Sequence, residues 1–265
     1  MNNKNIVDCH CHFVTLADFE LYKMTSSANK FLNIRAINHD ILVKPYNFSV
    51  FKDIDNMYLT EAIDLTNIEE ELIRIESSLK TISRIVGIKV YLGYQEFCAN
   101  DERVLSVVEL ANKYGVSMIF HCGECYAVGE KINYSNAKYI EDLAIKYKDV
   151  NFIASHMNWP LFDDLFELCE KYDNIYTCFS GCLDAIDEED RRHQVDMVIE
   201  YINEYIVKYP KLREKLMYGT DFFACGEGFV DVSDYIEIIN RLNVSEIEKE
   251  NILYNNAFLA YKKMK

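Results

Sequence analysis

From residue 58 onward, short β-branched or aromatic runs alternate with amphipathic segments, the pattern of βαβ units around a parallel sheet. A chain of 265 residues is the right length for eight such units. Polar, chemistry-bearing residues also recur at the C-terminal ends of the runs. Together these predict an α/β fold: a distorted (β/α)8 barrel formed by residues 1–265 as a single domain, with an insertion after the first strand.

Seven strands can be placed: Ile6–His12, Tyr58–Leu65, Ile85–Tyr91, Val116–His121, Asn151–His156, Asn174–Ser180 and Leu216–Asp221. The eighth is expected within Phe13–Asn56, a stretch without a clear period that holds Pro45 and is read as a strand plus a segment over the barrel mouth. Among the helices, Asp101–Tyr114 carries Val104, Leu105, Val107, Val108 and Ala111 on one face and stops at Gly115, a favoured C′ residue. Ser135 is expected to cap the next helix, and Pro160 to sit in a first helical turn. The last helix opens at Ser245-Glu-Ile-Glu248, a capping box. No linker rich in Pro, Gly or Ser and no internal repeat divides the chain.

With 50% hydrophobic and 27% charged residues, the chain can bury a full core. Its 43 acidic against 28 basic residues, a formal charge of −15, disfavour nucleic acid or an anionic membrane as partner and leave a small-molecule substrate. A homo-oligomer is compatible with this composition. No apolar run of membrane-spanning length occurs, and Met1-Asn2-Asn3-Lys4-Asn5 leads into the first strand without a signal-peptide core, so a cytoplasmic location is expected. Nine cysteines in no regular framework read as reduced thiols. Cys122-Gly-Glu-Cys125 has redox-motif spacing but no matching second pair, so two cysteines in a strand-end loop is the preferred reading.

The first strand contains Asp8-Cys9-His10-Cys11-His12. Strict strand alternation places Asp8, His10 and His12 on one face, with Cys9 and Cys11 facing the helices. Four of six histidines (His10, His12, His121, His156) and Asp221 fall at or near strand ends, which in a (β/α)8 barrel converge on one mouth. Imidazoles with one carboxylate suit zinc or a similar divalent ion. Each residue alone could be a satisfied core histidine or a capping aspartate; five together point to a metal site. Asp221 could both hold the metal and accept a proton. His39 and His193 belong to no recognisable motif, and His193 reads as a solvated helix residue.

Asp8-x-His10-x-His12, Val86-Gly-Ile-Lys89-Val-Tyr91, Phe120-His121-Cys-Gly123, Ser155-His156, Phe179-Ser180-Gly181, Tyr218-Gly-Thr-Asp221 and Asn256-Ala257 form an ordered series. The series resembles that of the amidohydrolase superfamily, its amidohydrolase-2 branch of metal-dependent barrel hydrolases and decarboxylases in particular. The resemblance implies one Zn2+ bound by His10, His12, His121 and Asp221, with His156 as the base or electrophile opposite the metal; Mn2+ or Fe2+ would fit the same donors. Asp8 is expected to orient an imidazole or the strand-end backbone. Lys89 has two readings: an ammonium that pairs with a substrate carboxylate, or a carbamylated bridge between two metals, the single ion being favoured. Tyr91, Glu124 and Ser180 are candidate pocket residues. The chain departs from the pattern at His156-Met-Asn158-Trp159-Pro160, where a glycine often follows the histidine, and at Phe222-Phe223, where a proline is common; both changes bear on pocket shape.

The activity expected is hydrolysis of an amide, lactone or ester of a small, carboxylated molecule by a metal-activated water. The alternatives are non-oxidative decarboxylation on the same site and a catalytically silent metal- or ligand-binding barrel.

Overall fold

The computed structural model describes residues 5–27, 33–42, 48–125, 132–185, 187–223 and 232–264. Its strands are β1 (Asn5–His12), β2 (Asn33–His39), β3 (Met57–Ala62), β4 (Ile85–Val90), β5 (Ser117–Phe120), β6 (Phe152–Ala154), β7 (Ile175–Cys178), β8 (Leu216–Met217) and β9 (Phe222–Phe223). The helices are α1 (Leu16–Ser27), α2 (Ile68–Thr81), α3 (Glu102–Tyr114), α4 (Ile132–Ser135), α5 (Glu141–Lys146), α6 (Phe162–Lys171), α7 (Glu188–Lys208), α8 (Leu212–Lys215), α9 (Val232–Arg241), α10 (Glu246–Glu250) and α11 (Asn256–Ala260). Among them no helix is long and apolar enough to cross a membrane.

All strand pairs are parallel, in the order β8-β7-β6-β5-β4-β3-β2-β1-β9. The two ends of that order, β8 and β9, are successive pieces of one stretch, residues 216–223. Met217 pairs with Cys178 of β7, Phe222 pairs with Cys11 of β1, and this stretch joins the two edges. Between the pieces, Cys9 N–H donates to Tyr218 O (3.0 Å) and Asp221 N–H donates to His10 O (2.8 Å), so the last barrel strand is a broken one. The missing eighth strand is β2. The rest of the aperiodic stretch supplies α1 and a 3-10 turn at Phe48–Phe51, and residues 28–32 and 43–47, including Pro45, lie outside the described residues.

Parallel strands are covered on both faces, which is why β3 to β7 are buried throughout. Inside the barrel, Val7, Ile37, Val86, Ile119, Ile153 and Met217 pack on a floor of Ala257 and Ala260 from α11 and Tyr261 just after it. Outside, α3 contributes Val104, Val107, Val108 and Ala111 and ends on Gly115 in the left-handed region, as the sequence pattern requires. The capping box at Ser245 and Glu248 is formed. Asn256 ties the terminal helix to the closing strand: its amide donates to Leu216 O (2.8 Å) and Arg213 O (3.1 Å).

Two local expectations are corrected. Asn136, not Ser135, caps the turn that follows, because the Ser135 hydroxyl is spent on Gly123 O. Pro160 precedes α6 instead of opening it: Leu161 donates to Asn158 O in a turn, and the helix begins at Phe162.

Gly87 points into the barrel, where an added Cβ would meet Ile119 Cδ1 at 2.3 Å. Gly87→Ala should therefore cost about 1–3 kcal/mol of overpacking. Equilibrium urea unfolding should show that Ile119→Val, which removes the clashing methyl, recovers a large part of the loss.

Candidate metal centre

Strict alternation along β1 does not hold. The pairing with β2 runs Asp8↔Ala36 and then Cys11↔Asn38, so one extra residue is bulged between them. The extra residue changes which way the side chains point. Cys9 turns into the barrel beside Val7, contrary to the expected helix-facing position, whereas Cys11 does pack in the outer layer. Asp8 leaves the face of His10 and His12 and points to α1 and the closing stretch. There its carboxylate accepts from Tyr22 Oη (2.8 Å), Thr220 Oγ1 (2.7 Å), Thr220 N (3.1 Å) and His10 N (3.2 Å). Asp8 thus orients the strand-end backbone.

The bulge also sets the two imidazoles side by side. His10 Nε2 and His12 Nε2 are 3.2 Å apart, and Asp221 Oδ1 lies 3.3 Å and 3.2 Å from them. A tetrahedral ion with bonds of about 2.0–2.1 Å requires ligand–ligand edges of about 3.3–3.4 Å. Among the described residues this is the group that could hold a metal ion.

The hydrogen bonding of the set agrees. His12 Nδ1 faces the carbonyl of His39 at 3.1 Å, and a carbonyl only accepts, so Nδ1 carries the proton and Nε2 presents a lone pair. Asp221 Oδ1 is buried and makes no hydrogen bond with the described residues, although the side chain as a whole is 31% exposed. Two lone pairs converge there with no proton between them, an arrangement that a cation satisfies. Burial would raise the Asp221 carboxyl pKa, but His156, His12 and Lys89 hold it well below the usual carboxylate range, so the group is ionised. Asp221 also has positive φ (61°), a conformation sustained by its amide bond to His10 O.

His156 and His121 stand next to this set but not in it. The His156 ring is 5.0 Å from that of His10 and 4.7 Å from that of His121. His156 Nδ1 faces Ser180 O at 2.8 Å and so holds the proton, leaving Nε2 open; burial lowers its pKa. After β6, His156, Met157 and Asn158 all take positive φ, and the Asn158 side chain clamps the turn through Ala137 N (2.9 Å) and Leu161 O (2.7 Å). Gly181 allows the close approach that follows, since a Cβ there would lie 3.0 Å from His156 Nδ1 and 3.2 Å from Asp221 Oδ2. His121 Nε2 donates to Glu124 O (3.0 Å), which leaves Nδ1 as the atom it could offer a ligand.

Lys89 is fully buried, donates to Ser155 Oγ (2.9 Å) and lies 5.3 Å from the Tyr91 ring centre. No carboxylate of the described residues pairs with it, and burial brings its pKa down to about 8. Tyr91 uses its hydroxyl on Asp40 O. The Glu124 carboxylate is exposed, so its carbonyl is what meets the site. Ser180 is buried with its hydroxyl 3.2 Å from His10 Nδ1 and 3.0 Å from His156 Nδ1, a bridge between the two rings. Cys122 and Cys125 are buried and form no disulfide with each other, and burial pushes Cys122 far up, which suits the inert reading. His193 is exposed on α7.

Sequence reasoning missed His39. It ends β2, is fully buried, and stacks on His10 at 4.3 Å. Its position at a strand end was the available signal, hidden because β2 had no recognisable period.

The fold and these side chains define a (β/α)8 barrel with a His/His/Asp triad at its mouth that could hold a metal ion. Among solved structures, an uncharacterised TIM-barrel protein from Bordetella bronchiseptica is similar over 98% of this chain and 99% of its own (14% identity, TM-score 0.68). A structure described as a probable 2-pyrone-4,6-dicarboxylic acid hydrolase from Acinetobacter baumannii, with citric acid bound, matches over 97% and 99% (13%, 0.66). So does 5-carboxyvanillate decarboxylase from Sphingomonas paucimobilis, over 97% and 99% (10%, 0.65). No curated protein matches. An amidohydrolase family model matches residues 62–262, and the chain belongs to that amidohydrolase-2 family of metal-dependent enzymes.

Protein purified without chelator should carry a stoichiometric divalent ion by elemental analysis. His12→Gln should weaken Zn2+ binding beyond the ~10–100-fold that outer partners are worth.

At the edge of the mouth, burial and the neighbouring Glu61 carboxylate push Asp40 up to about 6. The folded state therefore binds this proton more tightly than the unfolded chain. The resulting stability is complete below about pH 4 and is lost as pH rises through 6, up to about 3 kcal/mol. Urea unfolding of Asp40→Asn at pH 4.5 and pH 8 should show a smaller difference than wild type.

Proposed function

We propose that the protein is a metal-dependent hydrolase acting on an amide, lactone or ester of a small carboxylated molecule. His10, His12 and Asp221, joined by His121 through Nδ1, would hold one ion, zinc being the best match to the donors. The observation that carries this reading is the triangle of three ligand atoms at 3.2–3.3 Å beside the open Nε2 of His156. A divalent ion held there supplies Lewis-acid polarisation of a carbonyl oxygen and acidity for a nearby water.

The protein's own groups supply the rest. His156, its proton fixed on Nδ1 by Ser180 O, receives at Nε2 the one proton that Asp221 takes from the attacking water and passes it to the leaving group. Asp221 uses Oδ1 toward the ion and keeps Oδ2, beside Gly181, to accept from the attacking water. The Lys89 amine, which pairs with no carboxylate of the described residues, pairs with the substrate's carboxylate. If Lys89 were carbamylated it would instead bridge two metals. Phe223, 39% exposed and 6.0 Å from the His12 ring, forms an apolar wall of the pocket, and Tyr94 packs edge-on to His121.

Decarboxylation on the same site is the second reading. It is favoured by the full-length similarity to 5-carboxyvanillate decarboxylase, and the bound citric acid of the Acinetobacter structure fits either reading, since both take carboxylated ligands.

A panel of carboxylated amides, lactones, esters and aromatic acids, assayed for both acid and carbon dioxide release, separates the two. Release of acid without carbon dioxide supports hydrolysis; carbon dioxide supports decarboxylation. Asp221→Asn should lower kcat/KM by at least about 10³-fold, as expected for a group in direct contact with the reacting atoms. Unchanged turnover on an accepted substrate would remove Asp221 from catalysis.

A further inference from the structure

The bulge that brings His10 and His12 together interrupts β1, and inside it the Cys9 carbonyl is met by side chains. His39 Nε2 donates to Cys9 O at 2.8 Å, and Tyr261 Oη donates to it at 3.3 Å. Since a carbonyl only accepts, His39 holds its proton on Nε2, and Nδ1 accepts from Thr60 Oγ1 at 2.8 Å. Both ring nitrogens are committed, so His39 is no ligand. Its ring nevertheless stacks on His10 at 4.3 Å, and its own carbonyl accepts a hydrogen bond from His12 Nδ1 at 3.1 Å. One residue of β2 thus touches both neighbouring ligands and ties down the carbonyl immediately before His10.

We propose that His39 is a positioning residue for the metal centre: its ring props the bulge and the His10 ring while its carbonyl sets the His12 tautomer, so that the two Nε2 lone pairs are pre-aimed. The inference rests on the metal-site reading above and concerns its affinity for the ion. A ligand set held in place before binding loses less conformational freedom when the ion arrives. Thr60 acts one step further out, holding the His39 ring in its plane.

The test is a titration of chelator-stripped protein with Co2+, followed by the visible absorption of the bound ion, with competition by Zn2+. His39→Phe keeps a stacking ring but loses both hydrogen bonds, and should weaken the ion by about 10–100-fold. His39→Gln, whose amide can reach Cys9 O, should recover most of that affinity. Thr60→Val should weaken binding by a smaller factor. Thermal melting of the metal-free proteins is recorded alongside. If His39→Phe lowers the melting temperature but leaves Co2+ affinity unchanged, the role is structural and the proposal falls. If it does not fold, Thr60→Val decides, and unchanged affinity there overturns the proposal. Failure of wild type to take up Co2+ or Zn2+ would overturn the metal-site reading itself and this inference with it.

Discussion

A single buried carboxylate organises the mouth of this barrel. Asp8 is removed from water and accepts four hydrogen bonds, from Tyr22 on α1, from the backbone and hydroxyl of Thr220, and from the amide of His10. Burial alone would make such a carboxylate costly, and it raises the Asp8 pKa despite the four donors. In return, β1, the α1 helix that follows it and the closing stretch from the far end of the chain are fixed against one another. One of them bears His10 and His12, and another leads directly into Asp221. The triad at the mouth and the closure of the sheet therefore share an anchor.

Most of the architecture is legible in the sequence because parallel strands buried on both faces are hard to disguise. Short β-branched runs, the capping box at Ser245 and the glycine after α3 stand where the structure uses them, whereas the cap expected at Ser135 falls to Asn136. β2 is the exception. Its Asn33-Ile-Arg-Ala-Ile-Asn-His39 mixes polar and apolar residues, since Asn38 and His39 serve the bulge and the mouth and leave little for a hydrophobic pattern. Without that strand, His39 had no address.

The site was legible as a set of residue types and only partly as geometry. His10, His12 and Asp221 converge as their strand-end positions imply. A period of two along β1 is broken by one bulged residue, and a bulge is a property of pairing with a neighbour that a linear pattern does not contain. The same limit applies to Ser180 and Glu124. Both came to notice as pocket residues, yet the contacts that matter are a hydroxyl between two imidazoles and a main-chain carbonyl.

The broken last strand has an energetic meaning beyond topology. Leu216–Met217 belongs to one edge of the sheet and Phe222–Phe223 to the other, and Asp221 sits at the join. Anything that binds Asp221 together with His10 and His12 is a clasp across the seam of the barrel. Occupancy at the mouth and resistance to opening of the seam are then linked quantities: each tightens the other by the same free energy. The ligand-binding end of this enzyme is also where its cylinder is sewn shut.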